Sequence, residues 1–88
     1  MRPGSLPYGM ATEKRVNIVG SRVKEARSKR KPPMTQDQLS GKLAVLGVGI
    51  DRAGISKIEI GQRSVLDFEV KALAKALGVT AEWLLSGR

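Results

Sequence analysis

The sequence predicts an all-α protein with five helices and no β-sheet. Apolar residues recur at steps of three and four along most of the 88-residue chain, the spacing of one helix face. Helix-capping residues precede three of these segments, and Gly or Pro follows each of them. No segment alternates between apolar and polar residues over a useful length, so strands are not expected.

The first helix is predicted to run from Thr12 to the Pro32-Pro33 pair. Its apolar positions lie on one face of a helix, at Val16, Val19, Val23 and Ala26. The two prolines cannot continue a helix and push Lys31 out of helical space. The residues before it, rich in Pro and Gly, are expected to form a flexible arm. We therefore divide the chain into an arm over residues 1–11 and one domain over residues 12–88.

The second and third helices carry the clearest start signals. Thr35 with Gln38 three residues later is a capping box, and its apolar face continues through Leu39, Leu43 and Leu46. The glycines at 47 and 49 are expected to interrupt this segment. Asp51 is expected to cap a short third helix that ends before Gly61, a residue suited to a left-handed conformation.

Two further helices complete the predicted fold. The fourth is expected to start between Ser64 and Asp67 and to end at Gly78. Its apolar face follows the i, i+3, i+4, i+7 repeat at Val70, Leu73, Ala74 and Leu77. The fifth is short, begins after Thr80 and ends at Gly87.

Charge is the strongest functional signal in the composition. Sixteen Lys and Arg stand against eight Asp and Glu, a net charge of +8. Residues 1–31 hold nine of the basic residues and only two acidic ones, whereas residues 67–88 hold three of each. A small basic domain usually binds a polyanion, with nucleic acid as the first expectation. A solvated surface with a basic bias is the other interpretation.

Composition also removes several function classes. The chain has no Cys and no His, so a disulfide framework, the usual metal ligands and the commonest catalytic base are absent. Asp67 and Glu69, at i and i+2, do not face each other on a helix, and no Gly-rich phosphate loop occurs. No apolar run approaches the roughly 20 residues of a membrane span, and no signal peptide is evident. We expect no enzyme activity, no metal, no cofactor and no membrane association.

Five stretches together resemble the Cro/phage-repressor (XRE) type of helix-turn-helix regulators. The five stretches are SRVKEAR, MTQDQLSGKL, ISKIEIGQRS, VKALAKALGV and TAEWLLSG. Their order and approximate spacing match that family from about residue 17 to residue 87. The connection AVLGVGID departs from the family, because it is about four residues longer than the usual turn. The resemblance implies a lambda-repressor-like fold and binding to double-stranded DNA.

The resemblance also implies which residues touch DNA. In this family the third helix enters the major groove. Here its exposed residues are expected to contact bases, with Arg able to bind guanine in two-point fashion; they are Arg52, Ala53, Ser56 and Lys57. Four polar residues, one at the first turn of the second helix and three just past the third, are expected to contact phosphates: Gln36, Gln62, Arg63 and Ser64. The competing interpretation is a solvated helix face for Arg52 and Lys57. For Gln36 it is a place in the capping box, and for Gln62 and Ser64 it is the ordinary polarity of turn residues.

Two further roles follow from the resemblance. Arg27 and Glu59 are expected to form an interior ion pair between the first and third helices, so we assign them to architecture. The last helix, with Trp83, Leu84 and Leu85, is expected to pack on the core, to contribute to a homodimer, or both.

The leading hypothesis is a cytoplasmic, sequence-specific regulator, expected to be a repressor, that binds a palindromic operator as a homodimer. An antitoxin-like protein–protein module with secondary DNA binding is the alternative, although no long toxin-wrapping tail is evident. We expect no domain that senses a small-molecule ligand.

Overall fold

The computed structural model describes residues 17–86 and contains, within them, five α-helices and no strand. They are α1 (Gly20–Lys29), α2 (Gln36–Val45), α3 (Arg52–Glu59), α4 (Asp67–Leu77) and α5 (Ala81–Leu85). The all-α, five-helix prediction is confirmed. The predicted arm over residues 1–11 lies outside the described residues. No described helix is long and apolar enough to cross a membrane.

The predicted helix starts of α2, α3 and α5 are confirmed by their caps. The side chain of Thr35 accepts from the backbone N–H of Gln38 at 3.0 Å, and the Gln38 side chain accepts in return from the N–H of Thr35 at 2.8 Å. Asp51 and Thr80 each accept one such bond at the starts of α3 and α5, from the N–H groups of Gly54 and Trp83. Each cap satisfies a backbone donor that the first helical turn leaves without a partner.

The ends of α3 and α4 also follow the sequence signals. Gly61 and Gly78 have φ angles of 78° and 74°, a left-handed conformation that costs glycine little. These turns let the chain reverse directly after each helix, so that the short helices pack around one core.

The predicted start of α1 at Thr12 is wrong for the part of the chain that the structure describes. Residues 17–19 are not helical, and α1 begins at Gly20. The side-chain oxygen of Asn17 accepts from the N–H of Gly20 at 2.8 Å. The helix therefore starts at Gly20, although the apolar repeat of the sequence continues toward the N-terminus. Gly20 also lies directly against the Ile58 carbonyl, where a β-carbon would overlap the oxygen.

One core joins all five helices. Its fully buried members come from every helix and include Val23, Leu39, Leu43, Ile55, Ile58, Leu73 and Leu84. Leu46, predicted on the same face as Leu39 and Leu43, is instead 39% exposed. Because α2 ends at Val45, the chain turns at Leu46, and Val48 and Ile50 enter the core in its place.

Candidate nucleic-acid interface

The connection between α2 and α3 is long but firmly attached. Ser40 donates its hydroxyl to the carbonyl of Ile50 at 2.7 Å, and the N–H of Val48 donates to Leu43 at 2.9 Å. Both Val48 and Ile50 are buried. Residues 46–51 therefore fix the direction in which α3 leaves α2, despite being longer than a tight turn.

The two faces of α3 differ sharply. Ile55 and Ile58 have no exposed surface, whereas the side chains of Arg52, Ala53 and Lys57 are exposed, with Ser56 intermediate. None of these four side chains makes a hydrogen bond or ion pair among the described residues. The helix thus presents two cations, a hydroxyl and a methyl group to solvent.

The first turns of α2 and α3 lie side by side. Arg52 lines one surface depression together with Thr35, Gln36 and Asp37. Four backbone N–H groups at a helix start carry partial positive charge and favour an anion. An anionic ligand placed here would meet both this helix end and the Arg52 side chain.

An interior polar network secures α3 to the first two helices. Arg27 binds Glu59 at two points, Nε to Oε2 at 2.7 Å and Nη2 to Oε1 at 2.9 Å. Gln36 donates to the same carboxylate at 3.1 Å, and Arg27 also donates to the carbonyl of Met34 at 2.9 Å. The hydrogen bonds that Arg27 donates to Glu59 raise the pKa of Arg27. Gln36 is therefore already connected to α3.

The half-buried side chain of Arg63 is bound by Glu69. Its guanidinium donates to both carboxylate oxygens of Glu69, at 3.0 and 3.1 Å, and to the carbonyl of Ser64 at 2.9 Å. The side chains of Arg63 and Glu69 are 32% and 8% exposed. A phosphate would thus share the guanidinium with Glu69. Gln62 and Ser64 are exposed beside it.

The residues of α5 divide between the core and the surface. Leu84 is fully buried and Leu85 is 47% exposed. Trp83 is half-buried, with the guanidinium of Arg22 stacked 4.4 Å from the centre of its ring. Leu84 therefore has no surface to offer a second copy, so a contact through α5 would use Leu85 and the outer part of Trp83.

Two residues of this region were assigned no role from the sequence. Asn17 bonds to the end of α3 and to the loop after it. Glu69 accepts from the N–H of Leu66 at 3.0 Å and from Arg63. Both had a local signal, because Asn three residues before Gly20 and Glu at the third position of α4 are capping patterns.

A family comparison matches residues 20–88 to a helix-turn-helix domain. The chain belongs to this helix-turn-helix family. The family is typical of XRE-like regulators, as the resemblance implied, and its helix-turn-helix domain corresponds to a DNA-binding regulator. A comparison with curated proteins finds no match.

In this helix-turn-helix domain we expect α2 and α3 to be the two helices of the motif, with residues 46–51 as the turn between them. The predicted base-contacting residues all lie on the exposed side of α3, while Gln36 lies at the first turn of α2. Residues 62–64 follow the end of α3. The domain therefore gathers the predicted DNA-contacting residues on its two central helices and the loop that follows them.

The Arg63–Glu69 pair predicts a specific loss of stability in acid. Hydrogen bonds from Arg63 lower the pKa of Glu69 below its ordinary value; burial opposes this, and the N–H of Leu66 adds to it. A lowered pKa in the folded state contributes stability that is complete above the unfolded value of about 4.3 and is lost as pH falls through the lower folded value.

We expect Glu69→Gln to abolish the part of the pH dependence of stability that comes from Glu69, because glutamine does not titrate. The measurement is the free energy of unfolding in urea at steps between pH 7 and pH 3, for both proteins. The difference in free energy of unfolding between wild type and the variant should shrink as the pH falls below about 4.3. A constant difference between the two proteins over the whole range contradicts the expectation.

Proposed function

We propose that the protein is a sequence-specific regulator that binds double-stranded DNA as a homodimer and represses by occupying its operator. The observation that carries the proposal is the surface of α3, with Arg52, Ala53, Ser56 and Lys57 outward and Ile55 and Ile58 fully buried. An α-helix of this length fits the major groove, where side chains reach base edges. The role is one of binding, without catalysis.

In this proposal the residues divide into those that recognise sequence and those that hold the backbone. Arg52 can bind the O6 and N7 of a guanine at two points, Lys57 can bind one of these acceptors, and the Ala53 methyl can contact a thymine methyl. Ser56 can bond to either kind of base. The backbone contacts fall to Gln36, Gln62, Arg63 and Ser64, and these set register without reading sequence.

Dimerisation is proposed to occur through α5, because Leu85 is 47% exposed there beside the half-buried Trp83. A two-fold dimer presents two copies of α3 to one face of the duplex. Its operator is then an inverted repeat with half-site centres about 34–36 Å apart, one turn of DNA.

Selection of bound sequences from a random duplex pool tests the proposal. We expect an inverted repeat of this spacing to be enriched, and the purified protein to sediment as a dimer at the concentration of half-saturation. Leu85→Ser should shift sedimentation toward the monomer and weaken binding to the full site. Binding without sequence preference, or a preference without two-fold symmetry from a monomer, contradicts the proposal.

A further inference from the structure

Asn17 makes three hydrogen bonds that join the entry of α1 to the end of α3. Its side-chain oxygen accepts from the N–H of Gly20 at 2.8 Å. Its side-chain nitrogen donates to the carbonyl of Ile58 at 3.2 Å and to the carbonyl of Arg63 at 2.7 Å. The side-chain oxygen therefore binds the start of α1, and the side-chain nitrogen binds a segment more than 40 residues away in the sequence.

The two carbonyls lie on either side of the turn that ends α3. The N–H of Gly61 donates to Ile58 at 3.0 Å, and the N–H of Gln62 donates to Lys57 at 2.8 Å. These bonds attach Gln62 to α3 but leave Arg63 and Ser64 without a backbone–backbone hydrogen bond among the described residues. The bond from Asn17 to the Arg63 carbonyl connects this part of the loop to the entry of α1.

Gly20 makes the contact geometrically feasible. A β-carbon on residue 20 would overlap the Ile58 carbonyl oxygen and crowd the Glu59 carbonyl. The backbone of α1 therefore approaches the end of α3 closely enough for the short side chain of Asn17 to span both segments. The opposite side of the loop is secured by the Arg63–Glu69 pair.

We propose that Asn17 is a positioning residue for DNA binding: it fixes the loop over residues 62–64 relative to α3. The inference rests on the proposed function, in which α3 contacts bases while this loop contacts phosphates. Both sets of contacts form together only if the spacing between the helix and the loop matches that between the groove and the backbone. Asn17 sets this spacing without touching DNA.

The variant Asn17→Ser separates the two ends of the amide. A serine hydroxyl can still accept from the N–H of Gly20, whereas it is too short to donate to the carbonyls of Ile58 and Arg63. It introduces no charge, so the salt dependence of binding remains interpretable. Ile18→Ala is the matched control, since Ile18 is the next residue and is 61% exposed.

The first readout needs no DNA. We expect the amide of Gln62, which donates to the Lys57 carbonyl at 2.8 Å, to exchange hydrogen faster in Asn17→Ser than in wild type, while those of Leu39 and Leu43 in α2 keep their rates. The control should leave both sets unchanged. Equal loop exchange in variant and wild type would overturn the positioning role. If Asn17→Ser fails to fold, Asn17→Thr, which also retains a short uncharged acceptor and cannot reach the two carbonyls, is measured in its place.

The second readout is the salt dependence of binding to the selected operator. At a temperature where all proteins are folded, we expect Asn17→Ser to bind at least about tenfold more weakly, the equivalent of one lost charge-assisted hydrogen bond. Its slope against log salt should be less steep by about one phosphate per monomer. The preferred bases should stay the same, because the exposed face of α3 is intact.

If Asn17 has only a structural role, Asn17→Ser should lower the melting temperature but leave the salt slope of DNA binding by the folded protein unchanged. That result, with wild type binding its operator normally, contradicts the positioning role and leaves the proposed function standing. Wild type without any duplex preference contradicts the proposed function itself. The exchange rates then still report whether Asn17 holds the loop, so the two failures are distinguished.

Discussion

Replacing Arg27 or Glu59 with alanine is expected to lower the free energy of unfolding by about 3–5 kcal/mol. The two side chains are 15% and 4% exposed and meet at two points, so either substitution leaves a poorly solvated charge without its partner. Loss of Arg27 also removes the donor to Met34. The double variant should lose less than the sum of the two single losses. Urea unfolding of all four proteins measures this cycle.

Lys24→Ala is the matched control for this cycle. Lys24 is exposed on α1, and its removal should change stability by no more than about 0.5 kcal/mol. Strictly additive losses in the cycle would show that Arg27 and Glu59 do not depend on each other. Glu59 also accepts from Gln36, so the loss of Glu59 is also expected to loosen α2 against α3.

The second large effect is expected for Arg52→Ala in DNA binding. Loss of a two-point guanine contact should cost about 1–3 kcal/mol on the best operator and flatten the preference at one position of each half-site. Stability should stay within about 0.5 kcal/mol of wild type, because the Arg52 side chain is exposed and makes no hydrogen bond or ion pair in the part of the chain that the structure describes. Titration of selected and point-changed duplexes measures both the affinity and the preference.

Lys57→Ala and Arg63→Ala are the comparators. Lys57→Ala should behave like Arg52→Ala but more weakly, since a flexible point charge defines geometry less well. Arg63→Ala should weaken all sequences alike and reduce the salt slope by about one per monomer. It also leaves Glu69 without its partner, so binding is compared where every variant is folded. If Arg52→Ala leaves the preferred DNA sequence unchanged and Arg63→Ala alters it, base recognition lies in the loop and not on α3.

Local signals accounted for most of the fold. Thr35, Asp51 and Thr80 cap their helices with side-chain bonds that span three residues, and Gly61 and Gly78 end theirs with a single left-handed conformation. Such features depend on a few neighbouring residues, so a sequence displays them directly. The buried faces of α3 and α4 likewise follow from the helical repeat.

Contacts between distant segments were harder to predict. The start of α1 depends on Asn17, whose second role requires the end of α3 to lie beside it, and the apolar repeat alone continues past that point. Arg63 looked free because its partner Glu69 lies across a turn and on the next helix. The Arg27–Glu59 pair was expected only through the family resemblance, since 32 residues separate its members.

The free outer face of α3 bears on how such a regulator can diverge. Among the described residues, the side chains of Arg52, Ala53 and Lys57 make no hydrogen bond or ion pair, whereas Glu59, Ile55 and Ile58 on the other side pack and bond to the other helices. Substitutions on the outer face are expected to stay near neutral for folding, within about 0.5 kcal/mol. A lineage could therefore exchange one operator for another through a few such changes, each intermediate remaining a folded protein on which selection can act.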